Sequence, residues 1–383
     1  MRQEAAEDSS AASSDEELPR DAAPRRTEKL LREERSRSRL KNYLEESTAA
    51  RLSGRSLLEE LAVRRPARLQ YQHYLDRWVR FCDAKEMSMR TDAEVDSALV
   101  VYFNHCFLTG RQAYEGEKTM AALMDKVPEF SKLGTRKAPR AWRCLQGWRR
   151  LTPGRTRRPL PLAVWAAIAT GLCQRGHPQM AVWVLLGLSA YLRPSENMRL
   201  RRKDLVPPAS GVTRSWALLV APEEVGVPTK VNTVDDSVLL DSPWLMWLTP
   251  ALRALREGDL NLPLWDFEYP SLTRELKVVS EYLGLPPVVP YQLRHSGPSL
   301  DRIRGDRTQE ECRKRGRWQS HGSLVRYEKH ARLAQEWNAY AEQQREHFLM
   351  CEERLEAVVL GMRPAPTPAA ALGTAQKCTR APR

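Results

Sequence analysis

The 383-residue sequence has no apolar run long enough to cross a membrane. Its most apolar stretch, residues 180–192, has thirteen residues, whereas a membrane-spanning helix needs about 20. Residues 1–60 also lack the apolar segment that a secretory signal requires. These absences predict an intracellular protein without a membrane partner, and they predict that residues 180–192 form a buried helix.

Paired cysteine motifs are missing as well. The seven cysteines are scattered, their number is odd, and no two of them form a C-x-x-C motif. A disulfide framework or a structural zinc site would require more regular spacing. The pattern indicates a reducing compartment, and it predicts neither a metal site nor a bound cofactor.

Acidic residues are absent from a long central segment, which extends from Phe130 to Ser195. The net charge of the chain is +13, and this excess favours a polyanionic partner because Lys and Arg release the counterions of nucleic acids. Residues 1–64, in contrast, carry 13 basic and 14 acidic residues. We therefore expect DNA contacts in the central segment. The candidate DNA-binding residues are Lys132, Arg136, Lys137, Arg140, Arg143, Arg149, Arg150, Arg155, Arg157 and Arg158.

Composition and periodicity divide the chain into five predicted segments. These are a charged, partly disordered and partly helical arm (1–65), a helical domain (66–130), a basic linker (131–160), a second domain (161–345) and a tail helix with a disordered end (346–383). The segments WALLVAP and DDSVLLD predict two strands of a hairpin. The predicted fold class is mainly α with a small antiparallel β-sheet. The tail helix could pack on its own chain or on a neighbouring subunit.

Two arginine motifs and one aromatic motif stand out in the second domain. They are LRPSE around Arg193, YQLRHSG around Arg294, and GRWQSHGSLVRY, which contains Trp318 and Tyr327. An arginine fork binds two phosphate oxygens at once, and a tyrosine hydroxyl can act as a nucleophile. Phosphoryl transfer depends mainly on positioning and on neutralising phosphate oxygens, so these residue types suit that chemistry.

The order and spacing of these motifs resemble the tyrosine recombinase (phage integrase-like) family, of the type found in eukaryotic mobile elements. The resemblance extends from about Arg68 to about Tyr340. It implies a helical core-binding domain that clamps DNA opposite a catalytic domain. It also implies site-specific DNA cleavage and rejoining through a 3′-phosphotyrosyl intermediate, without metal or cofactor. The implied partners are double-stranded DNA and further copies of the chain, as a tetramer on DNA, in the nucleus or wherever the target DNA resides.

The resemblance also implies a role for each candidate catalytic residue. Arg193 and Arg294 would bind the phosphate, Trp318 would add an indole donor, and Tyr327 would be the nucleophile. The family has a lysine on a hairpin between the two arginines. Lys230, the only lysine between Lys203 and Lys277, would fill that position and protonate the leaving 5′ oxygen.

Tyr291 departs from the family pattern, because the family has His or Lys three residues before the second arginine. A phenol has a reference pKa near ~10 and is a poor base at neutral pH. Three hypotheses therefore remain open. They are an active recombinase, a DNA-binding protein derived from such an enzyme that no longer cleaves, and a type IB topoisomerase-like enzyme.

Overall fold

The computed structural model describes residues 54–63, 65–154, 157–222, 236–319, 322 and 329–367. These residues are mainly helical and include one small antiparallel sheet, which confirms the predicted fold class. The chain divides into two compact units, residues 1–154 and 155–383. Within the described ranges, no helix combines the length and the apolar character that a membrane span requires.

The first unit consists of helices packed around buried Trp78, Phe103 and Leu145. From residue 54 onwards, the described helices are α1 (Leu57–Leu61), α2 (Arg65–Ala84), α3 (Asp92–Leu108), α4 (Ala113–Lys126) and α5 (Pro139–Leu151). Helix α3 begins with a capping box, in which the Thr91 hydroxyl accepts from the N–H of Glu94 and the Glu94 carboxylate accepts from the N–H of Thr91. Helix α2 packs on α4, and α3 packs on α5.

Helix α5 corrects the prediction that residues 131–160 form a linker. Ala141, Leu145 and Trp148 recur at helical intervals and are buried in the core of the first unit. The Asp96 carboxylate, on α3, accepts hydrogen bonds from the N–H groups of Arg140 (3.0 Å) and Ala141 (2.7 Å). The first turn of α5 is therefore capped from a neighbouring helix. The high density of basic residues concealed an ordinary amphipathic helix.

The second unit is built around two almost wholly apolar helices. In chain order, the helices of its described residues are α6 (Leu162–Gln174), α7 (Pro178–Ser189), α8 (Pro194–Asn197), α9 (Thr249–Arg256), α10 (Tyr269–Tyr282), α11 (Leu293–Arg304), α12 (Gln309–Arg315), α13 (His330–Asn338), α14 (Glu342–Glu353) and α15 (Leu355–Val359). Helices α6 and α7 pack together and are buried along most of their length, as expected for helices that are apolar on every side. Helix α7 confirms the buried helix predicted before Arg193.

The predicted boundary between a catalytic domain and a tail at residue 345 is also wrong. Helix α14 crosses that boundary without interruption. Phe348 and Cys351 on α14, and Leu355 and Val359 on α15, are buried in the same core as α6. Both helices pack on α6 because their apolar stripes need an apolar partner. The described part of the tail is thus an intramolecular element of the second unit.

A three-stranded antiparallel sheet lies in the second unit. Its strands are β1 (Leu205–Val206), β2 (Ala217–Val220) and β3 (Asp236–Leu239), in the order β1-β2-β3. The register pairs Leu218 with Leu205 on one side and with Val238 on the other. Strands β2 and β3 confirm the two strands predicted from sequence, and β1 is an addition.

Candidate functional site

Arg294 lies in the first turn of α11 and joins three segments of the second unit. Its side chain is completely buried. One terminal nitrogen donates to the carbonyl oxygen of Tyr191, and the other donates to that of Gly316. The guanidinium carbon lies 4.9 Å from the centre of a Trp318 ring. The fold therefore brings Arg294 and Trp318 together, with the indole as a packing surface for the cation.

Two glycines make this close packing possible. A Cβ atom on Gly316 would overlap the indole of Trp318, so the ring can fold back over the chain only at a glycine. A Cβ on Gly297, in α11, would overlap the Tyr191 ring and the carbonyl oxygen of Leu188. The absence of side chains at these two positions lets the aromatic rings pack beside Arg294.

Arg193 belongs to the same site and is connected to it through Glu196. The N–H of Arg193 donates to the Glu196 carboxylate (2.9 Å), and a terminal nitrogen of its side chain also donates to that carboxylate. Arg317 approaches Glu196 from the other side, with Nη2 2.7 Å from Oε2. Nε of Arg317 lies 3.5 Å from a carboxylate oxygen of Asp236. One carboxylate thus holds two arginines in place.

The cations of the site influence one another. Burial and the positive charges of Arg317 and Arg193 lower the pKa of Arg294 to about 10, so it remains protonated at neutral pH. Burial by itself would raise the pKa of Glu196, but Arg317 and the neighbouring arginines hold it below its usual value. Burial raises the pKa of Asp236. The net result is a cluster of three guanidinium groups around an ionised Glu196.

The Tyr191 ring packs against the Trp318 ring. The two rings are stacked with their centres 6.2 Å apart, and Tyr191 is fully buried. Its hydroxyl donates to Asp301, which also pairs with Arg307. Burial and the charge of Asp301 raise the pKa of Tyr191 well above its usual value. Tyr191 is therefore a structural phenol and is poorly suited to act as a nucleophile.

Tyr291 lies beside the site, in a 3₁₀ turn (Pro290–Gln292) that leads into α11. Its ring is half-buried, and the ring centre is 5.8 Å from that of His295. The guanidinium carbon of Arg157 lies 4.7 Å from the centre of the Tyr291 ring. Arg157, a predicted DNA contact, thus also has a cation–π interaction within the second unit.

Lys230 and Tyr327, the predicted general acid and nucleophile, lie outside the described residues. The described chain resumes at Lys329, whose N–H donates to the hydroxyl oxygen of Ser299 on α11 (2.9 Å). Arg193, Arg294 and Trp318 are the predicted catalytic residues that the described fold assembles. Tyr291 borders them.

Arg140, Arg143 and Arg150 are exposed on α5. Their spacing places Arg143 and Arg150 on the face opposite the buried stripe of that helix and Arg140 at the edge of that face. Arg140 also donates to the hydroxyl of Ser97 (2.8 Å). This surface, which we call the α5 basic face, belongs to the first unit and is directed to solvent.

The other predicted DNA contacts are more varied. Lys132 and Lys137 are exposed, and Arg155 lies outside the described residues. Three of the arginines form ion pairs at 2.6 Å, namely Arg136 with Asp92, Arg149 with Glu117 and Arg158 with Glu336. Acidic partners from neighbouring helices therefore offset part of a charge that is unopposed in the local sequence.

Sequence reasoning did not identify Arg317 as a site residue. Its side chain is only 4% exposed and contacts Glu196, which lies 121 positions earlier in the chain. The available signal was the GRW triplet, in which a basic residue directly precedes the candidate Trp318. The spacing of Glu196, three residues after Arg193, was a second signal.

The described residues contain no group of three or more His, Cys, Asp or Glu side chains arranged to hold a metal ion. What they do provide is a buried arginine cluster that suits an anionic group. No protein-family model matches the chain, and the search of curated proteins found no significant match.

Proposed function

We propose that the chain is a tyrosine-type DNA recombinase that cleaves and rejoins DNA at specific sites. One observation carries this proposal. Arg193, Arg294 and Trp318 come from three distant segments and meet in one largely buried cluster, in which Arg193 is paired with Glu196 and lies close enough to lower the pKa of Arg294. Clustered guanidinium groups can neutralise the charge that a phosphodiester develops during transesterification.

The proposed reaction conserves the phosphodiester energy. Tyr327 Oη attacks the scissile phosphorus, the bond from phosphorus to the 5′ oxygen breaks, and the 3′ phosphate becomes attached to the tyrosine. Lys230 gives a proton to the leaving 5′ oxygen, and the phenol gives its proton to solvent water in the same step. A second 5′ hydroxyl then reverses the attack and seals a new strand. Arg193 and Arg294 stabilise the charged phosphate in both directions.

DNA binding supplies the second part of the proposal. The α5 basic face presents three exposed arginines, and such side chains bind duplex phosphates without reading sequence. Strand exchange between two duplexes requires several active sites, so we propose a homotetramer on DNA. A chain of this kind would work in the nucleus or wherever its target DNA resides.

A second candidate is a DNA-binding protein that does not cleave. The burial of Arg294 favours it, because both terminal nitrogens of that guanidinium donate to main-chain carbonyls. Tyr291 favours it too, since a phenol is a weak proton acceptor at neutral pH. In this case the arginine cluster would stabilise the fold, and the α5 basic face would bind DNA.

Covalent trapping on a library of nicked duplexes separates the two candidates. The recombinase should give protein attached to the 3′ end of cleaved DNA on denaturing gels. Tyr327→Phe should abolish the adduct and leave DNA affinity unchanged. Tyr282→Phe, at an exposed tyrosine of α10, is the matched control and should retain the adduct. An adduct that persists in Tyr327→Phe, or attachment at a 5′ end, contradicts the assignment. Tight binding without any adduct supports the second candidate.

A further inference from the structure

Arg317 combines a rare backbone conformation with a buried ion pair. Its φ angle is +55°, in the left-handed region that residues other than glycine seldom adopt. The side chain is 4% exposed and is held by Glu196 at 2.7 Å and Asp236 at 3.5 Å. Conformations of this kind persist where the surrounding contacts enforce them, and they concentrate at functional sites.

The charges around Arg317 explain what the contact with Glu196 can achieve. The Glu196 carboxylate touches the Arg193 side chain with one oxygen and the Arg317 side chain with the other. With Arg317 present, the three guanidinium groups of Arg193, Arg294 and Arg317 outnumber the carboxylates of Glu196 and Asp236. Without Arg317, these two carboxylates would balance the charges of Arg193 and Arg294, and the cluster would have no net charge left to offer to a phosphate.

We propose that Arg317 is a positioning residue that offsets the charge of Glu196, so that Arg193, with the positive charge of buried Arg294 behind it, can bind the scissile phosphate. This inference rests on the proposed function and adds a residue to its site. Arg317 has no direct contact with the phosphate in this scheme. It acts through Glu196, and its effect therefore depends on the negative charge of both Glu196 and the DNA.

A double-mutant cycle measures that dependence. Single-turnover cleavage is measured on a nicked duplex recovered from the library, with Arg317→Gly, Glu196→Gln and the double variant. Glycine suits position 317 because it adopts a φ of +55° without strain. Arg317→Gly should slow cleavage by roughly 10- to 100-fold, less than the roughly 10²–10³-fold loss when a donor in direct contact is removed. The same substitution in the Glu196→Gln background should cost less than about 3-fold, because the charge to be offset is gone.

A neutral substrate separates this role from a purely structural one. A methylphosphonate at the scissile position replaces one charged oxygen by a methyl group, so Glu196 no longer repels it. The penalty of Arg317→Gly should therefore nearly disappear on that substrate. Arg317→Lys keeps the charge and should remain close to wild type on both substrates. Equal penalties on the two substrates, or equal penalties in both backgrounds of the cycle, would overturn the inference.

Inorganic sulfate gives a readout that does not require cleavage. At constant ionic strength, sulfate in place of chloride should raise the Tm of the wild-type chain. Arg317→Gly should reduce that rise, and the double variant should restore it, since binding at other basic surfaces is common to all variants. An equal rise in wild type and Arg317→Gly overturns the role of Arg317. If the Tm rises follow this order but the wild-type chain forms no DNA adduct, the result contradicts the proposed function instead.

Discussion

Arg294 has a structural role that does not depend on any reaction. Its guanidinium donates to the carbonyl oxygens of Tyr191 and Gly316, which belong to segments more than a hundred positions apart. It also packs against the Trp318 ring. A buried carbonyl that loses its donor costs free energy, so the fold itself requires an arginine fork at this position.

The substitution Arg294→Lys tests this requirement. A lysine has a single ammonium group and cannot reproduce the two-sided fork, so one carbonyl should lose its donor. We expect the free energy of unfolding of the second unit to fall by about 1–3 kcal/mol. Chemical denaturation with amide hydrogen exchange on α7 and α11 provides the measurement. Arg253→Lys, at an exposed site, is the control. A change as small as the control's would show that the fork is not needed for folding.

Tyr291 should limit the rate of the proposed reaction. General acid–base assistance is typically worth about 10²–10⁴ in rate, and a phenol with a reference pKa near ~10 supplies little of it. Tyr291→His should therefore raise the single-turnover cleavage rate and leave DNA affinity unchanged. Tyr291→Phe is the control for the loss of the hydroxyl. A slower Tyr291→His enzyme would show that the phenol has a positive role, for which its contact with Arg157 is the first candidate.

At the scale of elements, the start of α5 depends on a single side chain from α3. The Asp96 carboxylate is buried and accepts the N–H groups of Arg140 and Ala141. Asp96→Ala should lower the stability of the first unit by about 1–2 kcal/mol, the upper part of the range for loss of a helix cap, because one carboxylate accepts two N–H groups. Exchange of these two amides should accelerate in parallel. Asp92→Ala removes a partly exposed ion pair with Arg136 and should cost less than about 1 kcal/mol. Equal costs for the two variants would contradict the capping argument.

The elements that sequence analysis predicted well have strong local patterns. Strands β2 and β3 follow from short aliphatic runs, and α7 follows from an uninterrupted apolar segment. The prediction of a linker over 131–160 is wrong because it gives more weight to the ten basic residues of that segment than to the helical spacing of three apolar residues in α5. Its cap comes from Asp96, which is far away in sequence, so local inspection could not identify where the helix begins.

Prediction of the site residues from sequence has the same limit. Arg193, Arg294 and Trp318 could be selected from motifs, because their neighbours and spacing are distinctive. The GRW triplet is a weaker signal for Arg317, because the role of that residue depends on a positive φ angle and on an ion pair across 121 positions. The burial of Arg294 was equally hidden, because it depends on how closely glycines allow two aromatic rings to approach.

At the scale of the whole molecule, the net charge of +13 is what the proposed binding to DNA would use, and the α5 basic face is the surface that we propose for it. The ion pairs of Arg149 and Arg158 reduce the charge available from those two arginines. The exposed Arg140, Arg143 and Arg150 are thus the better choice for a binding test.

Neutralising Arg140, Arg143 and Arg150 to glutamine should weaken binding to all DNA sequences alike. If each one touches a phosphate, the slope of log K against log salt should become shallower by about 3 units, at about 0.9 per contact. Fluorescence titrations of the full chain at several salt concentrations provide the slope. The control variant neutralises Arg253, Arg274 and Lys277, which are exposed in the second unit. It loses the same total charge as the first triple variant. An unchanged slope in the first triple variant, or an equal change in both, would show that α5 does not lie along DNA and that only the overall charge matters.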